Sequence, residues 1–206
     1  LTIFGTDQLG RDIFARCIVG GSISICVGLF AACIAVFVGT MWGTVAAIRG
    51  GKVDAAMMRT VDILYGLPSI MLVVLITVAV NSIVNSATSI SSTVQEFLHV
   101  MALLAAIGIV SWLTVSRVIR GQVRSIISRP AMDACRVIGV GPIRTYTHHL
   151  LPALLGTIVV YATLTVPTAI LSEAFLSFLG IGIREPLPSW GNLAADGLGQ
   201  LNPVHS

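Results

Sequence analysis

Asp133, Cys135, His148 and His149 fall within one short segment, RPAMDACRVIGVGPIRTYTHHLLP (129–152), together with three arginines. Metal chemistry is the first possibility, but neighbouring histidines on a helix point to different faces and make a poor ligand pair. The other cysteines, Cys17, Cys26 and Cys33, show neither a disulfide framework nor zinc-ligand spacing and are expected to be small apolar packing residues. Ser22, Ser24 and Ser69 have no His and carboxylate close in sequence to activate a nucleophile, which leaves an intramembrane hydrolase as the weakest alternative. Phosphate binding is not signalled either. The nearest approach to G-x-x-x-x-G-K-[ST] is IRGGKVD, which lacks the earlier glycine and a Ser or Thr after Lys52. The chain is therefore not expected to hydrolyse ATP, and no catalytic or metal-ligating residue is assigned.

The elements around this segment are those of a membrane protein. Of 206 residues, 55% are hydrophobic and only 10% charged, with a mean hydropathy of +0.94; soluble domains carry about 25% charge. No charged residue occurs from Cys17 to Ile48, Ile63 to Gln95, Phe97 to Ser116 or Thr145 to Ser172, and about 20 apolar residues suffice to span a bilayer. Four helical spans are predicted, at about 19–47, 63–83, 97–116 and 151–178, in one all-α transmembrane domain over 1–206. The opening LTIFGTDQLGRDIFAR has neither the basic nor the apolar region of a secretory signal. With no starting Met, the chain reads as an internal piece of a longer protein.

Nine of the twelve Lys and Arg lie between spans one and two (Arg49, Lys52, Arg59) or between three and four (Arg117, Arg120, Arg124, Arg129, Arg136, Arg144). Short basic loops stay in the cytoplasm. The opening segment, the polar stretch 81–95 (read as a solvated loop) and the tail 183–206 are then outside.

Gly20, Ser24, Gly28 and Ala32, followed by Gly39, Gly43 and Ala47, recur every four residues in the first span. Such a stripe lets helix backbones approach closely in lipid. Pro68 and Pro167 each remove a helical hydrogen bond and are expected to kink or break their spans, and kinked spans can line a path. Glu173, near the outer end of span four, is a candidate pathway or gate group, with a structural place in the membrane interface as the other reading.

Within the basic loop 117–150, Pro130 suits a helix start and Gly139 its end, leaving about two and a half turns. Ala131, Ala134, Cys135 and Ile138 then share one small apolar face. Pro142 can begin a second helix presenting Ile143, Tyr146 and Leu150 on one side before Pro152 opens the last span. Two short helices bent at a glycine make a knob shaped for a groove on a soluble partner. An amphipathic loop resting on anionic headgroups would also explain the arginines.

The spacing Asp133-Ala134-Cys135, Gly139 and Leu151-Pro152 resembles the loop signature of permease subunits in bacterial ABC importers: Glu-Ala-Ala, three residues, Gly, nine residues, Ile-x-Leu-Pro. Asp133 replaces Glu, Cys135 replaces Ala and His149 stands in place of Ile. GTDQLGRDIFARCIVGGSISICVGL (5–29), GGKVDAAMMRTVDILYGLPSIML (50–72) and LSEAFLSFLGIGIREPLPSWGNL (171–193) are similar to the C-type permeases of the dipeptide/oligopeptide/nickel group.

The resemblance implies a type I permease fold of six spans, four of them in this chain. It also implies a homologous second permease, two cytoplasmic ATPase subunits that bind the ATP and Mg, and an extracytoplasmic solute-binding protein, all at a bacterial inner membrane. It makes Asp133, Ala134, Cys135, Gly139, Leu151 and Pro152 the ATPase-coupling loop. Asp7, Trp190 and Asn192, in turn-rich outer segments, are candidates for the face that receives the binding protein, although Trp190 also suits an ordinary interfacial anchor. Peptides are the expected cargo; nickel or another small solute of the same group is the alternative, followed by a stand-alone transporter or channel. A stand-alone carrier would leave the basic knob without a task.

Overall fold

The computed structural model describes residues 4–7, 9–86, 92–183 and 185–200. Helix α1 (Ile13–Arg49) starts at Asp12, whose carboxylate accepts from the Phe14 N–H, and ends where Gly50 and Gly51 adopt φ of +62° and +52°. Only glycine takes that backbone readily, and the pair turns the chain directly into α2 (Gly51–Tyr65).

Pro68 then has no N–H with which to extend α2, and its ring excludes helical geometry just before it. The helix breaks at Gly66–Pro68, and α3 (Ser69–Ser86) departs at 88°. What was expected as one span beginning at 63 is thus an elbow between two helices. The stretch 81–95 carries no Gly or Pro, and it is helical to Ser86 and again from Ser92, with 87–91 outside the described residues.

Helix α4 (Ser92–Ile127) meets no breaker before Pro130 and carries Arg117, Arg120 and Arg124 on its last turns. The first third of the expected loop 117–150 is therefore helix. Helix α5 (Pro130–Val137), α6 (Pro142–Thr145) and a π turn (Tyr146–Leu150) lead into α7 (Leu151–Phe178). Helix α8 (Trp190–Gln200) occupies much of the expected outer tail. It begins in a reciprocal cap, Ser189 N–H to Asn192 Oδ1 at 2.7 Å and Asn192 N–H to Ser189 Oγ at 3.3 Å.

The small-residue stripe of α1 is the packing seam. A side chain at Gly28 would strike Ile170 of α7, and at Gly39 or Gly43 it would strike Val115 or the Ser116 carbonyl of α4. Around this seam, Val27, Ala31, Val73, Leu103, Ile107, Ala169 and Leu176 form one core. A second, toward the basic end, joins Val115, Ile119, Val123, Met132, Leu150 and Leu154. Cys17, Cys26 and Cys33 are not in these cores. All three are exposed on α1, because the close approaches are reserved for Gly and Ala, and a lipid-facing surface does not penalise a small apolar side chain.

Candidate docking element and translocation groove

Pro130 opens α5, and Gly139, at φ +80°, closes it. The Val140 N–H reaches back to the Cys135 carbonyl at 3.0 Å, the bond pattern of a left-handed helix stop. Met132 turns inward against α4. Ala131, Ala134 and Asp133 face outward, and Val137, Ile138 and Ile143 are 88%, 78% and 79% exposed. Branched apolar side chains are thus presented on a tight turn at a polar end, as a candidate docking edge.

The expected apolar side of the second helix is different. Leu150 is buried and Tyr146 packs beside it, whereas Ile143 points away. Pro152 is the cause: it lacks the N–H that an α-helix would give to His148. The backbone widens into the π turn, where the Leu151 N–H bonds to Tyr146, shifting the helical phase. Leu151 and Pro152 consequently do not begin a separate span; the helix runs on from Ile143 to Phe178. His148 and His149 are exposed, and His148 Nδ1 meets Thr147 Oγ1 at 2.9 Å.

Beside the docking turn lies a charge cluster that spacing alone does not reveal. Asp54 of α2 is 2% exposed. Its carboxylate accepts from Arg120 Nε and Nη2 at 2.5 and 2.6 Å and from Arg124 Nη2 at 2.7 Å. About two turns further along α2, Asp62 accepts from Arg117 at 2.7 Å, and the Arg117 guanidinium sits 4.0 Å over the Tyr65 ring. Trp42 of α1 donates its indole N–H to the Met57 carbonyl and meets Trp112 of α4 edge-on at 5.1 Å.

Between the elbow, α4 and α7 runs a groove lined by Tyr65, Ser69, Ser111, Thr114, Tyr161 and Thr168 among aliphatic neighbours. No charged side chain lines it among the described residues. Pro167 is an exposed position beside it, and α7 continues through this proline unbroken. The hydroxyls of Thr163, Thr165 and Thr168 donate to nearby backbone carbonyls of the same helix.

Glu173 is not among the residues that line the groove. It is fully buried, with Ser177 Oγ donating to its Oε1 at 2.7 Å and accepting in turn from the Ile183 N–H at 3.0 Å. Its Oε2 has no hydrogen-bond partner among the described residues. The pair ties the loop after α7 to the helix.

The opposite end carries a second ion network. Asp7 accepts from Arg11 Nε at 2.7 Å and Arg16 Nη1 at 2.8 Å, and Glu185 accepts from both guanidiniums. Burial raises the Asp7 pKa, but the Arg11 and Leu9 backbone N–H groups and the Arg11 guanidinium outweigh it and hold the carboxyl at about 2. Trp190 lies over Gly21 and donates to the Cys17 carbonyl at 3.3 Å, while the Asn192 amide is committed to its own turn. Arg16 and Glu185, absent from the sequence-derived candidates, sit 169 residues apart in the chain and meet only in the fold.

Residues 35–200 match the family model of the binding-protein-dependent transport system inner membrane component. The chain is 40% identical over 195 residues to the oligopeptide transport system permease protein OppC of Bacillus subtilis, covering 95% of this chain and 59% of that protein. It is also 40% identical to the dipeptide transport system permease protein DppC of the same organism (95% and 56%) and 41% identical to OppC of Escherichia coli K12 (94% and 59%). It thus spans less than two thirds of the length of the curated relatives it matches. With helices as the secondary structure of the described residues, three of them apolar and long enough to cross a membrane and a fourth candidate broken at the elbow, the chain belongs to the family of binding-protein-dependent transport system inner membrane components.

Proposed function

We propose that this chain is the permease part of an ATP-driven importer of di- or oligopeptides, which forms half of the translocation path and couples to a separate ATPase subunit. The observation that carries the reading is the exposed apolar turn Val137–Ile143 at the end of a buried-cored knob, in a chain of a transport family. A loop in water gains nothing from three exposed branched aliphatics, whereas a groove on a partner buries them.

In this reading Asp133, Ala134, Cys135 and Gly139 shape the docking edge, and Leu151 and Pro152 set the π turn behind it. The basic end is cytoplasmic. ATP and Mg bind the partner ATPase, and this chain supplies no catalytic residue. A homologous second permease closes the groove from the other side. The uncharged, hydroxyl-bearing groove suits peptides, whose shared feature is the backbone amide and whose side-chain charges vary. Selection among cargoes falls to the extracytoplasmic binding protein. That protein docks on the outer turns around Asp7, Trp190 and Asn192, with Asp7 and Asn192 holding the surface in shape. Pro167 sets the helix face beside the path, and Glu173 holds the outer loop as part of the gate.

Affinity purification of the full-length protein in mild detergent, followed by mass spectrometry and an ATPase assay, tests this. Recovery of a Walker-motif ATPase and a second permease is expected. A protein that purifies alone and conducts solute after reconstitution would replace this reading with a carrier or channel.

A further inference from the structure

We infer that the Asp54 carboxylate, gripped by Arg120 and Arg124, hands displacement of the docking turn to the elbow that lines the groove. The inference rests on the importer reading above and assigns it positioning residues. Arg120 and Arg124 lie one helical turn apart on α4 and share a face; α4 ends at Ile127, only three residues before α5 begins. A push on the docking turn reaches these last turns of α4 through α5, whose Met132 packs with Val123 and Ile126. Both arginines meet the same buried carboxylate, and a buried ion pair of this kind resists separation because parting leaves a charge unmatched.

Asp54 is therefore a fixed point through which α4 holds α2. From there α2 is a single straight helix whose far end supplies Leu64 and Tyr65 to the groove wall. Beyond it the chain turns 88° at Gly66–Pro68. Pro68 has no N–H to brace that elbow, so it is the compliant point in the sequence of contacts. Arg117, bonded to Asp62 and stacked over Tyr65, repeats the link about two turns of α2 nearer the elbow. The groups facing Asp54 are these arginines of α4, and Trp42 of α1 holds α2 from its other side through Met57. A displacement of α4 thus reaches Tyr65 at the groove through α2, ahead of the compliant elbow.

The test uses the complete importer with the full-length permease in proteoliposomes, measuring ATP hydrolysed per cargo molecule taken up, normalised to assembled complex. D54N is expected to raise that ratio severalfold, Asp54→Glu to bring it back toward the wild-type value, and D54C/R120C to be uncoupled until a short thiol-to-thiol crosslinker bridges the pair. A wild-type ratio in D54N overturns the inference, even if less complex assembles, because a merely structural role lowers the amount and not the ratio. Should D54N fail to assemble, Arg124→Gln removes only the exposed arm, and it must show a smaller rise in the same direction; no rise overturns the inference. A wild-type importer with no ATP-dependent uptake would instead overturn the functional reading itself.

Discussion

Arg120 closes a two-pronged ion pair on Asp54, 66 residues away in the chain, and so fastens the helix that leads to the docking turn to the helix that leads to the groove. The two ends of the proposed mechanism are joined through one buried carboxylate. Each remaining relationship in the fold has its own measurable consequence.

Gly139 sits at φ +80°, where a β-branched side chain is strained by about 1–2 kcal/mol. Nothing lies within 4 Å of its missing Cβ, so the effect of Gly139→Val is confined to the backbone of the turn. The variant is expected to assemble in the membrane, and uptake is expected to fall while the partner's ATP hydrolysis loses its dependence on cargo. Parallel uptake and ATPase assays check this; unchanged uptake would count against the docking role.

Gly43→Ala places a methyl group against the backbone of Ser116 and Arg120 in α4. Overpacking of this sort costs about 1–3 kcal/mol, and the unfolding midpoint in detergent should drop. Gly121→Ala is the control: its side chain meets open space, and the gain in helix propensity, about 1 kcal/mol, should leave the midpoint unchanged or raised.

Glu173→Gln keeps an acceptor for Ser177, whereas Glu173→Leu leaves the Ser177 O–H without an acceptor in a buried site and loosens the hydroxyl that receives the Ile183 N–H. The loss is about 1–3 kcal/mol. Limited proteolysis between α7 and α8 should accelerate in the leucine variant and stay near the wild-type rate in the glutamine variant.

The network at the outer end predicts a pH response of definite sign. The Asp7 carboxyl has a folded pKa of about 2 against an ordinary value of 3.8. Its contribution is therefore fully present above about pH 4 and is lost as the pH falls toward 2. Protease protection of the segment preceding α1 should hold from neutral pH to about 4 and decline below it. Asp7→Asn should weaken that decline, leaving the part carried by Glu185 on the same two arginines.

The seam of α1 was legible in the sequence because small residues recur at the helical period, and so were the start and stop of α5, which Pro130 and Gly139 mark locally. The polarity of 81–95 predicts a loop, yet helix extends to Ser86 and resumes at Ser92, because no Gly or Pro in the stretch ends it sooner. The phase of Ile143, Tyr146 and Leu150 was misjudged because a π turn follows from what Pro152 does to the preceding backbone, which a periodicity count does not contain. Asp54, Arg120 and Arg16 were invisible as a set. Arg120 meets Asp54 from 66 residues away, and Arg16 meets Glu185 and Asp196 from 169 and 180; the arginines on their own signal only which side of the membrane they face.

The most direct test of the central claim is Ile138→Asp in the full-length protein, followed by quantification of the ATPase subunit that copurifies with it. Ile138 is exposed and packs against nothing that holds the fold, so the permease itself should remain folded and in the membrane. Docking of the turn into an ATPase groove predicts that the ATPase is lost from the purified complex while the second permease stays. Retention of the ATPase with wild-type stoichiometry and cargo-dependent hydrolysis would contradict it.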